Sequence, residues 1–219
     1  MSTSSFGKNS PKGFGPFQVS SEVLVYLVPL LLLFVAQPAP AAPVYNIVPL
    51  GLDDPEHTDD HGGKRSNALQ LNEAGQVIGT SDRGIVFFPA VSGSAWLYDG
   101  ATTINIGPTG SEYTSSQNFK SSIPLDLNEA GQVLGRSIRF NGATDWGTSA
   151  WLYNGTTTIV IGLTGSEHTR NDGYRSSHTD ELNDAGQVIG ESARYNGGNT
   201  NLGQSAWLYD GATTITMIE

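Results

Sequence analysis

The chain contains no cysteine. Disulfides and thiolate-bound metals therefore cannot hold it together, and its stability must come from packing and hydrogen bonds. Positive charge is scarce, with 11 Lys and Arg against 21 Asp and Glu and a formal net charge of −10. Nucleic-acid binding takes its affinity from basic side chains that neutralise phosphates, so this balance argues against it. Long apolar runs are also missing. The longest stretch, Val23 to Ala36, is interrupted by Tyr26 and Pro29, and at about 14 residues it falls short of the roughly 20 that span a bilayer. From Val44 onward no segment has the apolar spacing of an amphipathic helix, which excludes an α-rich repeat region.

What is present at the start reads as a targeting signal. Lys8 and Lys12 precede the first acid, Glu22, the apolar run follows, and Ala39-Pro40-Ala41 offers a small-residue cleavage site. These are the three parts of a secretory signal peptide, so residues 1–41 are expected to be removed on export. Removal takes away Lys8, Lys12 and Glu22, leaving a still more acidic chain. The alternative is an uncleaved membrane anchor.

The remainder is repetitive. LNEAGQVIG from Leu71, LNEAGQVLG from Leu127 and LNDAGQVIG from Leu182 are three copies of one phrase. Around each copy, other positions recur in the same order. Gly51, Gly107 and Gly162 come first, then Glu56, Glu112 and Glu167, each followed by His57, Tyr113 or His168. Arg83, Arg139 and Arg194 come after the phrase, followed by Ser-Ala-Trp-Leu-Tyr runs that carry Trp96, Trp151 and Trp207. Such a period marks a stack of one structural unit.

Each unit contains two hairpin signals. Asn72, Asn128 and Asn183 open a turn, and Gly75, Gly131 and Gly186 occupy the left-handed position of a three-residue loop with a bulge. Asp99-Gly100, Asn154-Gly155 and Asp210-Gly211 are expected to form type I′ tips joining Thr-, Ile- and Val-rich strands. Two longer loops complete the unit, near Phe140–Thr148 and Leu163–Thr179. The expected fold class is all-β, with tandem four-stranded antiparallel repeat units, propeller-like, three units making an open or partial propeller. The alternative is an open β-solenoid or stacked-sheet array. The domains are residues 1–41, the signal peptide, and 42–219, the β repeat domain, with units at about 44–101, 102–156 and 157–212 and a final strand 213–218. Strands Tyr45–Pro49 and Thr213–Ile218 occupy the same position in the unit, so one end is expected to leave an unpaired sheet edge and to favour self-association.

No residue is assigned a catalytic, cofactor-binding or metal-binding role. The Trp residues lie within strands, where filling the space between sheets competes with a role as sugar platforms. His57 and His61, with Asp53, Asp54, Asp59 and Asp60, form the densest cluster of metal-ligating types, but in a turn-rich loop rather than on a helix. Asn171-Asp172-Gly173, Asn141 to Asp145 and Asn196 to Asn201 are rich in oxygen ligands, which makes calcium the candidate ion beside plain turn chemistry. Arg83, Arg139 and Arg194 and the acids Glu73, Glu129 and Asp184 are read as surface ion pairs. No placed triad signature is present. Asn154-Gly155-Thr156 matches a glycosylation acceptor on a tight turn.

The phrase LN(E/D)AGQV(I/L)G, followed by a small-aromatic-Leu-Tyr run and a Thr-Thr-Ile strand, resembles the HAF family of probable extracellular repeats. The name-giving His-Ala-Phe is replaced here by Ser94-Ala95-Trp96, Ser149-Ala150-Trp151 and Ser205-Ala206-Trp207. The resemblance implies a secreted, propeller-like bacterial protein and no particular reaction. The reading is therefore an exported, secreted or periplasmic, non-catalytic binding or structural module, uncertain as an enzyme. Its expected partners are another protein, a polysaccharide or a second copy, with no nucleic acid and no membrane after signal cleavage. The alternatives are a propeller-fold hydrolase or lyase acting on extracellular polymers, and a repeat lectin.

Overall fold

The computed structural model describes residues 46–84 and 92–212, together with the backbone of 215–218. The expected signal peptide lies outside the described residues. From Val48 the chain belongs to one compact unit, and its described regular structure is β-strand with two short 3₁₀ turns, Pro55–His57 and Ser111–Tyr113.

Twelve strands among the described residues form three antiparallel meanders. The first contains β1 (Ser66–Leu71), β2 (Val77–Asp82), β3 (Gly93–Tyr98) and β4 (Thr103–Asn105). The second contains β5 (Ser122–Leu127), β6 (Val133–Asn141), β7 (Thr144–Tyr153) and β8 (Thr158–Ile161). The third contains β9 (Arg175–Leu182), β10 (Val188–Tyr195), β11 (Asn201–Tyr209) and β12 (Ile215–Ile218). Neighbouring meanders also touch along strands. Thr148 of β7 pairs in parallel with Ser176 of β9, and the equivalent Gly93 of β3 bridges Ser121.

Several sequence expectations need correction. The segment from Phe140 to Thr148 is not a long loop. β6 and β7 run through it and turn at Gly142-Ala143, because alternating side chains on both strands continue the ladder. β9 likewise begins at Arg175, well before Thr179. Residues 46–50 are not a strand, since no described strand lies beside them to take their hydrogen bonds. β12 is not a spare strand; it pairs with β11 as the fourth strand of the third meander. The Asp-Gly and Asn-Gly tips are not type I′, which needs positive φ at two successive residues. Only the glycines Gly100, Gly155 and Gly211 have positive φ. Asp99 and Asn154 instead flank the tip, and their Oδ1 atoms accept the next backbone N–H groups, as in Ala101 and Thr102 to Asp99 at 2.8 Å each.

The first hairpin forms as its sequence requires. Gly131 has φ +77°, its N–H donates to the Asn128 carbonyl, and Asn128 N–H donates to Gln132. The remaining residues of the phrase connect one repeat to the next. Asn72 Nδ2 donates to the Asn128 carbonyl, and Asn128 Nδ2 donates to the Asn183 carbonyl, both at 3.0 Å. The Glu73 N–H donates to the Glu129 carboxylate, and the Glu129 N–H to Asp184. Gln76 lies where a Cβ on Gly131 would sit, and Gln132 lies in the same place at Gly186, each 2.7 Å away. The repeated phrase is thus a ladder of stacked turns.

The hydrophobic core lies between repeats. Ile78, Ala95, Leu97 and Ile106 on the front face of the first meander meet Leu127, Val133, Trp151 and Tyr153 on the back face of the second. Leu134, Ala150, Leu152 and Ile161 meet Leu182, Val188, Trp207 and Tyr209 in the same way. Burying aliphatic and aromatic side chains of this size contributes roughly 1.5–3 kcal/mol each. The final glycine of each phrase lies opposite a tryptophan, as Gly79↔Trp96, Gly135↔Trp151 and Gly190↔Trp207. A Cβ there would lie within 2.4 Å of the ring, so each indole occupies the room its glycine leaves. All three Trp side chains are fully buried, which answers the platform question in favour of packing.

Candidate functional site

The repeated polar residues are best understood by comparing the three copies. His57 is buried, with Nδ1 2.8 Å from Asp54 Oδ1. Burial pushes the Asp54 carboxyl up, but the bonds from His57 and from the Glu56 N–H outweigh it and leave it below its ordinary value. In the second repeat Tyr113 takes the place of His57, and its hydroxyl donates to Ser149 Oγ at 3.2 Å. In the third, His168 Nε2 lies 3.2 Å from Ser205 Oγ. Burial lowers the His168 pKa and so favours the neutral ring. A phenol cannot replace an imidazole as a base near neutral pH, yet it makes the same contact with the strand serine. In the second and third repeats this contact pins the 3₁₀ turn or its equivalent to the third strand, whereas His57 bonds only within its own turn, and its Nε2 is buried without a hydrogen-bond partner among the described residues.

The other members of the first-repeat cluster diverge. Asp53 pairs with Lys64 at 3.8 Å, Asp59 Oδ1 accepts the His61 and Gly63 N–H groups, and Asp60 and His61 are exposed. The oxygen-rich loops use their side chains in the same way. Asp145 accepts the Gly147 N–H, Asn196 the Gly198 N–H and Asn201 the Gly203 N–H, and Asp172 pairs with Arg170 at 2.7 Å.

Serine pairs recur at 2.6–2.7 Å as Ser66–Ser81, Ser122–Ser137 and Ser177–Ser192. In the first and third repeats the second serine also accepts the Leu52 or Leu163 N–H. The second repeat has Pro108 at that position, and proline has no N–H to donate. There Ser137 accepts the Trp151 indole N–H at 2.9 Å.

The arginines do not pair with Glu73, Glu129 and Asp184, and two of them are not on the surface. Arg83 bonds Glu56 at 2.6 Å and Arg139 bonds Glu112 at 3.0 Å, both from buried positions. Glu129 and Asp184 use their carboxylates in the turn ladder, and Glu56 and Glu112, on the adjoining loop, are the partners of Arg83 and Arg139. Arg139 also lies 5.3 Å above the Trp146 ring and donates to the Gly173 carbonyl of the third repeat. The equivalent Arg194 is exposed and makes no ion pair among the described residues.

Arg83 holds the Glu56 carboxyl below its ordinary 4.5, chiefly through their hydrogen bond. A lowered carboxyl adds stability that is complete above its ordinary pKa and is lost as pH falls through the lowered one. Glu56→Gln is therefore expected to reduce the urea midpoint at neutral pH and to converge with the parent protein in strong acid. Urea titrations across that range check this.

One surface differs between copies. On the front of the third meander, Tyr174, Ser176, His178, Tyr195, Asn201 and Gln204 line a groove of about 370 Å³. Tyr174 and Tyr195 meet edge to face with centroids 6.5 Å apart, and the Arg170 guanidinium lies 5.1 Å from the Tyr174 ring. Burial raises the Tyr195 pKa, so its hydroxyl keeps its proton. A smaller groove of about 220 Å³ recurs at the equivalent place in the second meander, lined by Ser121, Ile123, Arg136 and Thr148. There His178 is replaced by Ile123 and Tyr195 by Phe140. Sequence reasoning did not select these residues. The signal that could have found them was a polar or hydroxylated side chain in one copy where the neighbouring copy has an apolar one.

No protein-family model and no curated protein matches this chain.

Proposed function

We propose that this chain is an exported, non-catalytic binding module of the HAF-like, propeller-like type, working in the secreted or periplasmic space after loss of residues 1–41. Recognition takes place in the groove of the third repeat, and the ligand is an uncharged polysaccharide. The carrying observation is the contrast between the polar residues. The repeated His, Glu, Arg, Asn and Ser side chains engage one another across strands and repeats, whereas Tyr174, His178, Tyr195 and Gln204 of the groove are specific to one copy. Tyrosine faces beside amide and hydroxyl groups suit a ligand with both apolar faces and hydroxyls. The net charge of −10 disfavours polyanionic polymers.

The test is a glycan array probed with the exported protein, followed by the variants Tyr174→Ala and Gln204→Ala. Each variant is expected to weaken binding about tenfold, the scale of one stacking or hydrogen-bonding contact. Steady release of fragments from a bound polysaccharide would overturn the non-catalytic reading. N-terminal sequencing is expected to begin just after Ala41, and a product beginning at Met1 would overturn cleaved export.

A further inference from the structure

We infer that copies of this chain stack head to tail, the front face of the third repeat in one copy covering the back face of the first repeat in the next. This extends the binding-module reading by naming a partner for the remainder of the same sheet face.

The contact in question already occurs twice within the chain, each time as a front face on a back face. At the two ends, part of each half of that contact is exposed. On the third repeat Ile189 is 41% exposed, while the equivalent Ile78 and Leu134 are 0% and 1% exposed. Ala206 is exposed and Leu208 half-buried beside it, although Ala95, Ala150, Leu97 and Leu152 are all buried. On the first repeat Leu71 is 66% exposed, while Leu127 and Leu182 are 4% and 7% exposed. Val77 and Tyr98 are half-buried where their counterparts Val133, Val188, Tyr153 and Tyr209 are buried. Trp96 lies on the same face as Val77 and Tyr98 but is buried, so the exposed part of the first-repeat back face is its turn side.

The turn ladder is unfinished in the matching sense. Asn183 Nδ2 donates to Gln187 and, among the described residues, has no following Asn carbonyl of the kind that Asn72 and Asn128 use. At the other end, the Glu73 carboxylate has, among the described residues, no preceding turn N–H of the kind that Glu129 and Asp184 accept. Gly75 offers an empty seat, with nothing within 4 Å of a Cβ there, where Gly131 and Gly186 receive Gln76 and Gln132. Gln187 is the corresponding glutamine at the open end. Donors, acceptors, apolar side chains and the glutamine seat are therefore complementary between the ends, and neither end is complementary to itself. Such a contact is heterologous and produces a ring or an open filament, not a two-fold dimer. The second repeat keeps a groove of about 220 Å³ with the third stacked on it, although Thr148, the counterpart of Gln204, pairs there with Ser176, so the same geometry narrows the third-repeat groove without filling it.

The test uses the protein recovered after export and three samples: Leu71→Glu, Ile189→Glu and their equimolar mixture. Both positions are exposed, so the fold is expected to survive. The parent protein is expected to gain mass with concentration in sedimentation equilibrium. Each single variant is expected to lose that gain, because one end is blocked. The mixture is expected to form a 1:1 dimer and no larger species, because each variant keeps the end the other lacks. A parent that stays monomeric up to near-millimolar concentration would overturn the inference, and so would single variants that associate as the parent does. Loss of association in Ile189→Glu alone would indicate a like-with-like contact and would also overturn it. Glycan binding that persists in a monomeric parent would leave the binding-module reading standing and sink only the stacking.

Discussion

Gly135→Ala is expected to destabilise the folded protein by about 3 kcal/mol, at the upper end for overpacking a close-packed interior. The added Cβ would lie 2.1 Å from the Trp151 ring. That ring is fully buried between the second repeat and Ile78, Ala95 and Leu97 of the first, and its N–H is fixed on Ser137, so it has nowhere to retreat. At roughly 2–4 °C per kcal/mol for a domain of this size, the melting temperature should fall by about 10 °C. Gly142→Ala is the comparison. It has φ +63° and nothing within 4 Å of a Cβ, so it should cost about 1 kcal/mol, the backbone penalty alone. Calorimetry on the two variants separates the effects. Equal losses would mean that the glycine opposite tryptophan serves the backbone and not the indole.

The second large effect is expected from Glu112→Gln. Removing one partner of a buried ion pair costs about 3–5 kcal/mol. Here Arg139 is the buried member at 5% side-chain exposure, and Glu112 is 40% exposed, so about 2 kcal/mol is the better expectation once solvent screening is allowed for. The loss should be felt across the repeat boundary. Arg139 also holds the Gly173 carbonyl and lies against Trp146, and Arg175 of the third repeat lies 3.9 Å from the same carboxylate. Glu167→Gln, at the equivalent position beside the exposed Arg194, should change stability by less than about 0.5 kcal/mol. Denaturant midpoints of the two variants test this, and a Glu167→Gln loss as large as that of Glu112→Gln would contradict it.

Much of the local structure could be read directly from the residues. The strand-and-turn alternation, the positive φ of Gly75, Gly131 and Gly186 and the burial of the three tryptophans follow from side-chain period, glycine's missing Cβ and aromatic area. What could not be read was partnership. Glu56 and Glu129 are both acidic residues in a repeated context, yet one binds a buried arginine and the other caps a turn in the preceding repeat. The tip residue Asp99 was placed one position wrong because its carboxylate competes with the backbone for the turn N–H groups. The groove was missed because Tyr174, His178, Tyr195 and Gln204 come from β9, β10, β11 and the loop before them, and only the meander brings them together.

The sequence by itself determined the unit: its all-β character, its period, its tight first turn and the glycine that makes room for each indole. These depend on interactions within a few residues or on steric facts of single side chains. The tertiary structure alone decided that the core lies between repeats and that the turns form a ladder. Those outcomes depend on how one meander is set against the next, and that relation is fixed by contacts about 55 residues apart along the chain, beyond the reach of local periodicity.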